Sequence, residues 1–206
     1  MRLFLLVLTA MLAVAGIPAQ AGTLADARIG FSADRTLVFD GRIYRGRMWT
    51  MPGKERHEQV INGFDPVFIL RTDTPIGEVV LGQLHTAVEF VFPPELRLLG
   101  DKRLTRHPVG QETIGGIATT EYAVDETVPE GHAQGTLWLS RDGIPMRLAG
   151  KFTARNGHTA TVRWELSHVR IGPQPEALFE VPADFKRLPA EAVAPLLRLR
   201  LKGPHG

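Results

Sequence analysis

The stretch that decides the fold is IPMRLAGKFTARNGHTATVRWELS, Ile144 to Ser167. In its first half Met146, Leu148, Gly150, Phe152 and Ala154 take the even positions, with Arg147, Lys151 and Thr153 between them. After Asn156-Gly157, Ala160, Val162, Trp164 and Leu166 alternate with Thr161, Arg163, Glu165 and Ser167. A period of two is that of a strand with one buried and one wet face. Asn-Gly tolerates the positive φ angles of a two-residue hairpin turn. The segment reads as a β-hairpin.

The same punctuation extends outward to Asp40-Gly41, Pro52-Gly53, Asn62-Gly63, Gly115-Gly116, Glu130-Gly131 and Asp142-Gly143. Apart from the gap between Gly63 and Gly115, these signals lie about 10 to 15 residues apart, room for one strand each. Thr86 to Phe92 alternates, with Val88, Phe90 and Phe92 on one side. Arg42 to Trp49 is mixed, because Arg45, Arg47 and Trp49 share a face opposite Tyr44 and Met48. The expectation is a mainly β chain, an antiparallel meander of about ten or eleven strands. Two short helices are expected, at Pro93–Leu99 with prolines in its first turn and at Pro189–Leu201, kinked at Pro195 unless the helix starts near that residue.

The chain has 206 residues, 44% hydrophobic and 22% charged, which fits one globular domain. A net charge of +2, with no clustered basic excess, speaks against nucleic acid as a partner. The sequence contains no cysteine, which excludes disulfides, thiolate metal sites, cysteine nucleophiles and an N-terminal lipidated cysteine. Met1-Arg2 precedes an uncharged apolar run from Leu3 to Gly16, then Ile17-Pro18 and Ala19-Gln20-Ala21. As a helix that run rises only about 21 Å, short of a ~30 Å hydrocarbon core. Residues 1–21 therefore read as a cleaved signal peptide, cut after Ala21. Residues 22–206 read as one exported domain without a transmembrane segment, and the lack of cysteine suits a bacterial periplasm.

No pair among the seven histidines has metal-ligand spacing. His57, between Arg56 and Glu58 and beside Lys54 and Glu55, reads as part of a polar, solvated strand. There is no nucleophile elbow, phosphate-binding glycine loop or dinucleotide fingerprint. Carboxylates such as Glu121 and Glu165 alternate with apolar neighbours, as on the wet side of a sheet. No catalytic residue, metal or cofactor is expected. Trp49, Trp138, Trp164 and the phenylalanines admit two readings, a packed core or the lining of an apolar cavity.

In the C-terminal half, Gly116-Ile117-Ala118-Thr119-Thr120-Glu121-Tyr122-Ala123-Val124 is followed by Leu137-Trp138-Leu139-Ser140-Arg141-Asp142-Gly143-Ile144-Pro145-Met146-Arg147. Ala177-Leu178-Phe179-Glu180-Val181-Pro182-Ala183-Asp184-Phe185 closes the series, and Met48 to Arg56 and Ile69 to Asp73 add N-terminal pieces. Across residues 28 to 188 this pattern resembles the LolA/LolB-like lipoprotein-localisation superfamily. The resemblance implies a half-barrel, a single strongly curved antiparallel sheet of about eleven strands with one to three short helices on its concave side. It also implies a non-enzymatic periplasmic binder or carrier of a lipid, lipoprotein acyl chain or other amphiphile. Leu70, Phe90, Phe92, Phe152 and Trp164 are the expected lining residues. The competing reading is an envelope protein-interaction or stress-sensing module on the same scaffold, binding a protein partner at an edge strand or at Arg45 and Arg47. A hydrolase is the third reading, without a nucleophile motif to support it.

Overall fold

A computed structural model describes residues 27–60, 65–71, 74, 76–91, 107–128 and 131–189. Twelve strands form one sheet: β1 (Phe31–Phe39), β2 (Arg42–Met51), β3 (Lys54–Gln59), β4 (Pro66–Arg71), β5 (Ile76–Leu81), β6 (Thr86–Val91), β7 (His107–Ile114), β8 (Ile117–Val128), β9 (Gly131–Ser140), β10 (Pro145–Ala154), β11 (Thr159–Ile171) and β12 (Lys186–Leu188). Their order is β12-β6-β5-β4-β3-β2-β1-β11-β10-β9-β8-β7, an open half-barrel whose two edges never meet. The expected single, mainly antiparallel sheet is what forms, with one exception. The last strand returns to β6 and pairs with it in parallel, Lys186 opposite Thr86 and Leu188 opposite Val88.

Several turns follow the sequence chemistry. Asp40 and Gly41 both take positive φ, +46° and +76°, the mirror-image turn whose twist matches its flanking strands. Gly115 and Gly116 do the same between β7 and β8. Asn62-Gly63 falls outside the described residues, as do both expected helices, Pro93–Leu99 and Pro189–Leu201 beyond its first residue. Among the described residues there is no α-helix, only two 3-10 turns, Gly82–Leu84 and Glu176–Phe179.

Register divides the sheet into two faces. The inner face carries the main core: Phe31 and Leu37 of β1, Met48 of β2, Leu137 of β9, Met146 and Leu148 of β10, and Val162, Trp164 and Leu166 of β11, all buried. The parity read from the Ile144–Ser167 hairpin is therefore the true one. Gly150 and Gly135 face each other across β10 and β9 on this side. A Cβ on Gly150 would lie 2.8 Å from the Gln134 carbonyl oxygen and one on Gly135 2.5 Å from the Ala149 carbonyl oxygen, so the close approach of β9 and β10 here needs both residues to be glycine.

The outer face of β3 to β6 is covered by the C-terminal motif. Ile69, Val80 and Ala87 bury against Val181, with Val67 and Phe185 partly buried beside them. Phe179 is fully buried. Lys54 Nζ donates to Glu180 at 2.9 Å and Glu176 at 3.0 Å, and these contacts, Glu180 first, raise its pKa. Arg56 donates to the Leu178 carbonyl at 2.8 Å, and Arg187 to Glu78 at 2.7 Å. The turn lies outside because Lys54, Arg56 and Glu78 point outward and supply its partners.

Phe179 anchors this strap. Replacing it with alanine is expected to lower unfolding stability by about 3–5 kcal/mol, the usual cost of emptying a buried phenylalanine site. Urea unfolding measures this, and a loss below about 1 kcal/mol would show that the strap is not held by that side chain.

Candidate functional site

Strand β3, KERHEQ, is polar on both sides, so only its neighbours fix which face is buried. Met48 of β2 and Phe68 of β4 stand opposite His57, and both are buried core residues. This register turns Glu55, His57 and Gln59 inward and leaves Lys54, Arg56 and Glu58 outside. Glu55 is 2% exposed, His57 4% and Gln59 5%. The reading of His57 as part of a solvated strand is thus corrected: register, rather than local polarity, sets its face.

A buried cation faces this trio from two strands away. Arg35 of β1, 3% exposed, shares the inward parity of Phe31, Ala33 and Leu37. Its row runs Leu166, Arg35, Gly46, Gln59 across β11, β1, β2 and β3. Gly46 leaves the space over β2 empty, and a Cβ there would collide with the Glu58 carbonyl oxygen. The guanidinium therefore crosses β2 and reaches β3. Its Nη1 donates to His57 Nδ1 at 3.1 Å, and its Nη2 donates to Gln59 Oε1. On the far side His57 Nε2 lies 3.0 Å from Glu55 Oε2. The Trp164 ring completes the group, 5.4 Å from the guanidinium carbon and 6.3 Å, edge-on, from the imidazole.

The donor inventory fixes the proton on the ring. Arginine can only donate, so His57 Nδ1 accepts and carries no hydrogen. Nε2 then carries the one ring proton and donates it to Glu55. Burial lowers the His57 pKa foremost, and the positive Arg35 lowers it further, against the opposing hydrogen bond to Glu55. Burial also brings Arg35 down to about 10, partly offset by Glu55. The chain Arg35–His57–Glu55 is a cation and an anion separated by a neutral imidazole. Four buried side-chain polar atoms have no hydrogen-bond partner among the described residues: Arg35 Nε and Thr50 Oγ1 on this face, and Thr74 Oγ1 and Trp138 Nε1 elsewhere.

The expected lining residues distribute as follows. Leu70 is buried on the inner face in the row Phe31, Thr50, Glu55, Leu70, Gly77, Phe90. Phe90, half-buried, ends that row. Trp164 is buried in the next stretch of the same face, its Nε1 donating to the Pro145 carbonyl at 3.1 Å. Phe92 and the side chain of Phe152, whose backbone pairs with Ala160, lie outside the described residues. Arg45 and Arg47 are exposed on the outer face, where Arg47 stacks 4.9 Å from the Trp49 ring and pairs with Asp34 at 3.6 Å. A surface pocket of about 270 Å3 opens beside these arginines, with Glu58 and Asp65 among its walls. Among the described residues no group of three or more histidine, aspartate or glutamate side chains could hold a metal ion.

Arg35, His57, Glu55 and Gln59 were not legible as a site in the sequence, although one signal existed. An arginine stands where the Phe31, Ala33, Leu37 parity calls for an apolar residue.

Because the folded pKa of His57 lies below 6.5, the unfolded chain binds a proton that the native chain declines. Stability from this residue is complete above about pH 6.5 and is lost as pH falls below it, by up to about 1.4 kcal/mol per pH unit. His57→Gln can keep both hydrogen bonds but cannot titrate, so it should flatten this slope by one proton between pH 7 and 5. Urea midpoints at a series of pH values measure it, and an unchanged slope would contradict the assignment.

No family model matches the chain, and neither does any curated protein. Among solved structures, an uncharacterized conserved protein from Thermus thermophilus aligns over 88% of this chain and 99% of its own, with 11% identity and a TM-score of 0.54. The Pseudomonas aeruginosa MucA/MucB complex matches over 87% of this chain and 63% of the matched one, with 16% identity and a TM-score of 0.52. MucB alone gives the same score, and this chain spans 62% of its length. A LolA superfamily protein from Nitrosomonas europaea aligns over 80% of this chain and 98% of its own, with 10% identity and a TM-score of 0.43. At such identities the likeness of this chain to the Thermus protein and to MucB is one of fold.

Proposed function

We propose that this protein is an exported, periplasmic, non-enzymatic binder of an amphiphile, a lipid or a lipoprotein acyl chain, held against the inner face of its sheet. The observation that supports this is the continuity of apolar side chains on that face. Leu148, Trp164 and Leu37 form one row across β10, β11 and β1. Met48, Phe68, Val79 and Val88 are joined by register across β2 and β4 to β6, broken only by His57 on β3. An acyl chain gains about 0.8 kcal/mol for each CH2 it buries in such surroundings. Leu70, Phe90, Phe92, Phe152 and Trp164 are the proposed lining. Leu70 and Trp164 are 6% and 7% exposed, so cargo enters by opening the inner face. Phe90, half-buried at the end of its row, is where opening costs least. The signal peptide of residues 1–21 would deliver the chain to the periplasm.

A second reading, a module for a protein partner, is favoured by one observation. The MucB fold, which this chain shares at a TM-score of 0.50 to 0.52, is known in complex with MucA. The exposed Arg45 and Arg47 beside the outer pocket would be the contact surface in that case.

Native mass spectrometry of the mature chain, purified from a periplasm without detergent and followed by lipid extraction, separates the two. The cargo reading predicts a bound species with the mass of a phospholipid, a fatty acid or an acylated peptide. An apo mass that stays apo with added lipid, together with a stoichiometric protein partner, would overturn it. Phe90→Glu should abolish the bound species while keeping cooperative unfolding, because the side chain is only half-buried. Retained cargo in that variant would remove Phe90 from the lining.

A further inference from the structure

We infer that the cargo carries an anionic oxygen headgroup, a carboxylate or a phosphate, and that Arg35 Nε is the donor that receives it. This inference rests on the amphiphile reading and names the chemistry of the cargo's head.

A guanidinium carries five N–H donors on three nitrogens. Arg35 Nη1 donates to His57 and Nη2 to Gln59. The remaining nitrogen, Nε, is buried, and its N–H finds no acceptor among the described residues. The Arg35 side chain itself is 3% exposed. A buried donor without an acceptor is costly and uncommon, and on a cation more so. The charge is also incompletely met. Neither acceptor bonded to Arg35 is an anion, and the nearest carboxylate in this chain of contacts, Glu55, is separated from it by the neutral His57 ring. The Trp164 face gives further support to the cation, but a ring cannot accept the Nε–H as an anion would.

The surroundings specify an amphiphile rather than a free anion. Ala33, Leu37, Met48, Phe68 and Leu166 pack around these groups on the inner face. Free inorganic phosphate gains nothing from opening such a face, whereas an acyl tail does. The tail supplies the free energy of opening, and the head meets the buried Arg35 Nε–H, which has no acceptor among the described residues. The charge, rather than the donor, gives discrimination, because a neutral hydroxyl or ester oxygen can accept the Nε–H but leaves the cation uncompensated.

The test compares four probes on the mature chain by calorimetric titration below their critical micelle concentrations: oleate, lysophosphatidate, monoolein and inorganic phosphate. A charge-assisted hydrogen bond should make oleate and lysophosphatidate bind about tenfold more tightly than monoolein. Arg35→Met should bring the three lipids within about twofold of one another. Since that variant leaves Glu55 without its cation and can unfold, Glu55→Gln provides a second measurement. It keeps an acceptor for His57, removes the competing anion, and should widen the preference for anionic heads. Equal binding of oleate and monoolein to the native chain overturns this inference and leaves the cargo reading standing. Failure of all three lipids to bind overturns both. Inorganic phosphate binding as tightly as the lipids overturns the headgroup assignment in favour of a free anion.

Discussion

The inner face of this sheet is organised around one arginine. Arg35 lies in a strand whose alternation points it into the core, and a guanidinium there must be met by acceptors on its own face. It finds them only by crossing β2, and it crosses only because residue 46 is glycine. The register of β1, β2 and β3 is therefore fixed by more than apolar parity. A slip of one residue would put Glu55, His57 and Gln59 outside and leave a buried cation with no partner, a cost of about 3–5 kcal/mol for a broken buried pair. The polar chain and the apolar rows specify the same register, and this agreement singles out one pairing from its neighbours.

The two faces of the sheet solve different problems. The outer face between β3 and β6 is closed by the chain itself, through Val181, Phe179 and Phe185 and the ion pairs of Lys54, Arg71 and Arg187. Exposed or half-exposed pairs of this kind contribute little each. Their effect is to orient the strap so that its apolar residues meet Ile69, Val80 and Ala87. The inner face is different in kind, since it carries a cation and an anion bridged by a neutral imidazole, and a buried donor without an acceptor among the described residues. Hydrophobic side chains of similar volume would serve stability as well or better, so what these charges contribute is specificity of register.

Much of the fold was legible in the sequence because hairpins are local. Asp40-Gly41 and Gly115-Gly116 carry their turn geometry in their own side chains or lack of them, and the Ile144–Ser167 alternation names its buried face directly; at Asn156-Gly157 only the glycine takes positive φ, in a four-residue loop from 155 to 158 rather than the two-residue turn expected. The parallel return of β12 was not legible, because pairing a strand from residue 186 with one from residue 86 leaves no local trace. The inner site was hidden for a related reason. KERHEQ has no apolar residue to distinguish its faces, so its orientation is inherited from Met48 and Phe68 on the flanking strands. Arg35 was visible as an anomaly of parity, but its partners lie 22 and 24 residues away and meet it only through register.

The claim on which this account turns is that His57 is a neutral bridge, its Nδ1 bare toward Arg35 and its Nε2–H given to Glu55. A long-range nitrogen–proton NMR spectrum of the ring, recorded from pH 7.5 down to pH 5.5, reads this directly. The account predicts a protonated Nε2, an unprotonated Nδ1 and no titration near 6.5. A His57 ring that titrates like a solvent-exposed imidazole, or that carries its proton on Nδ1, would contradict it.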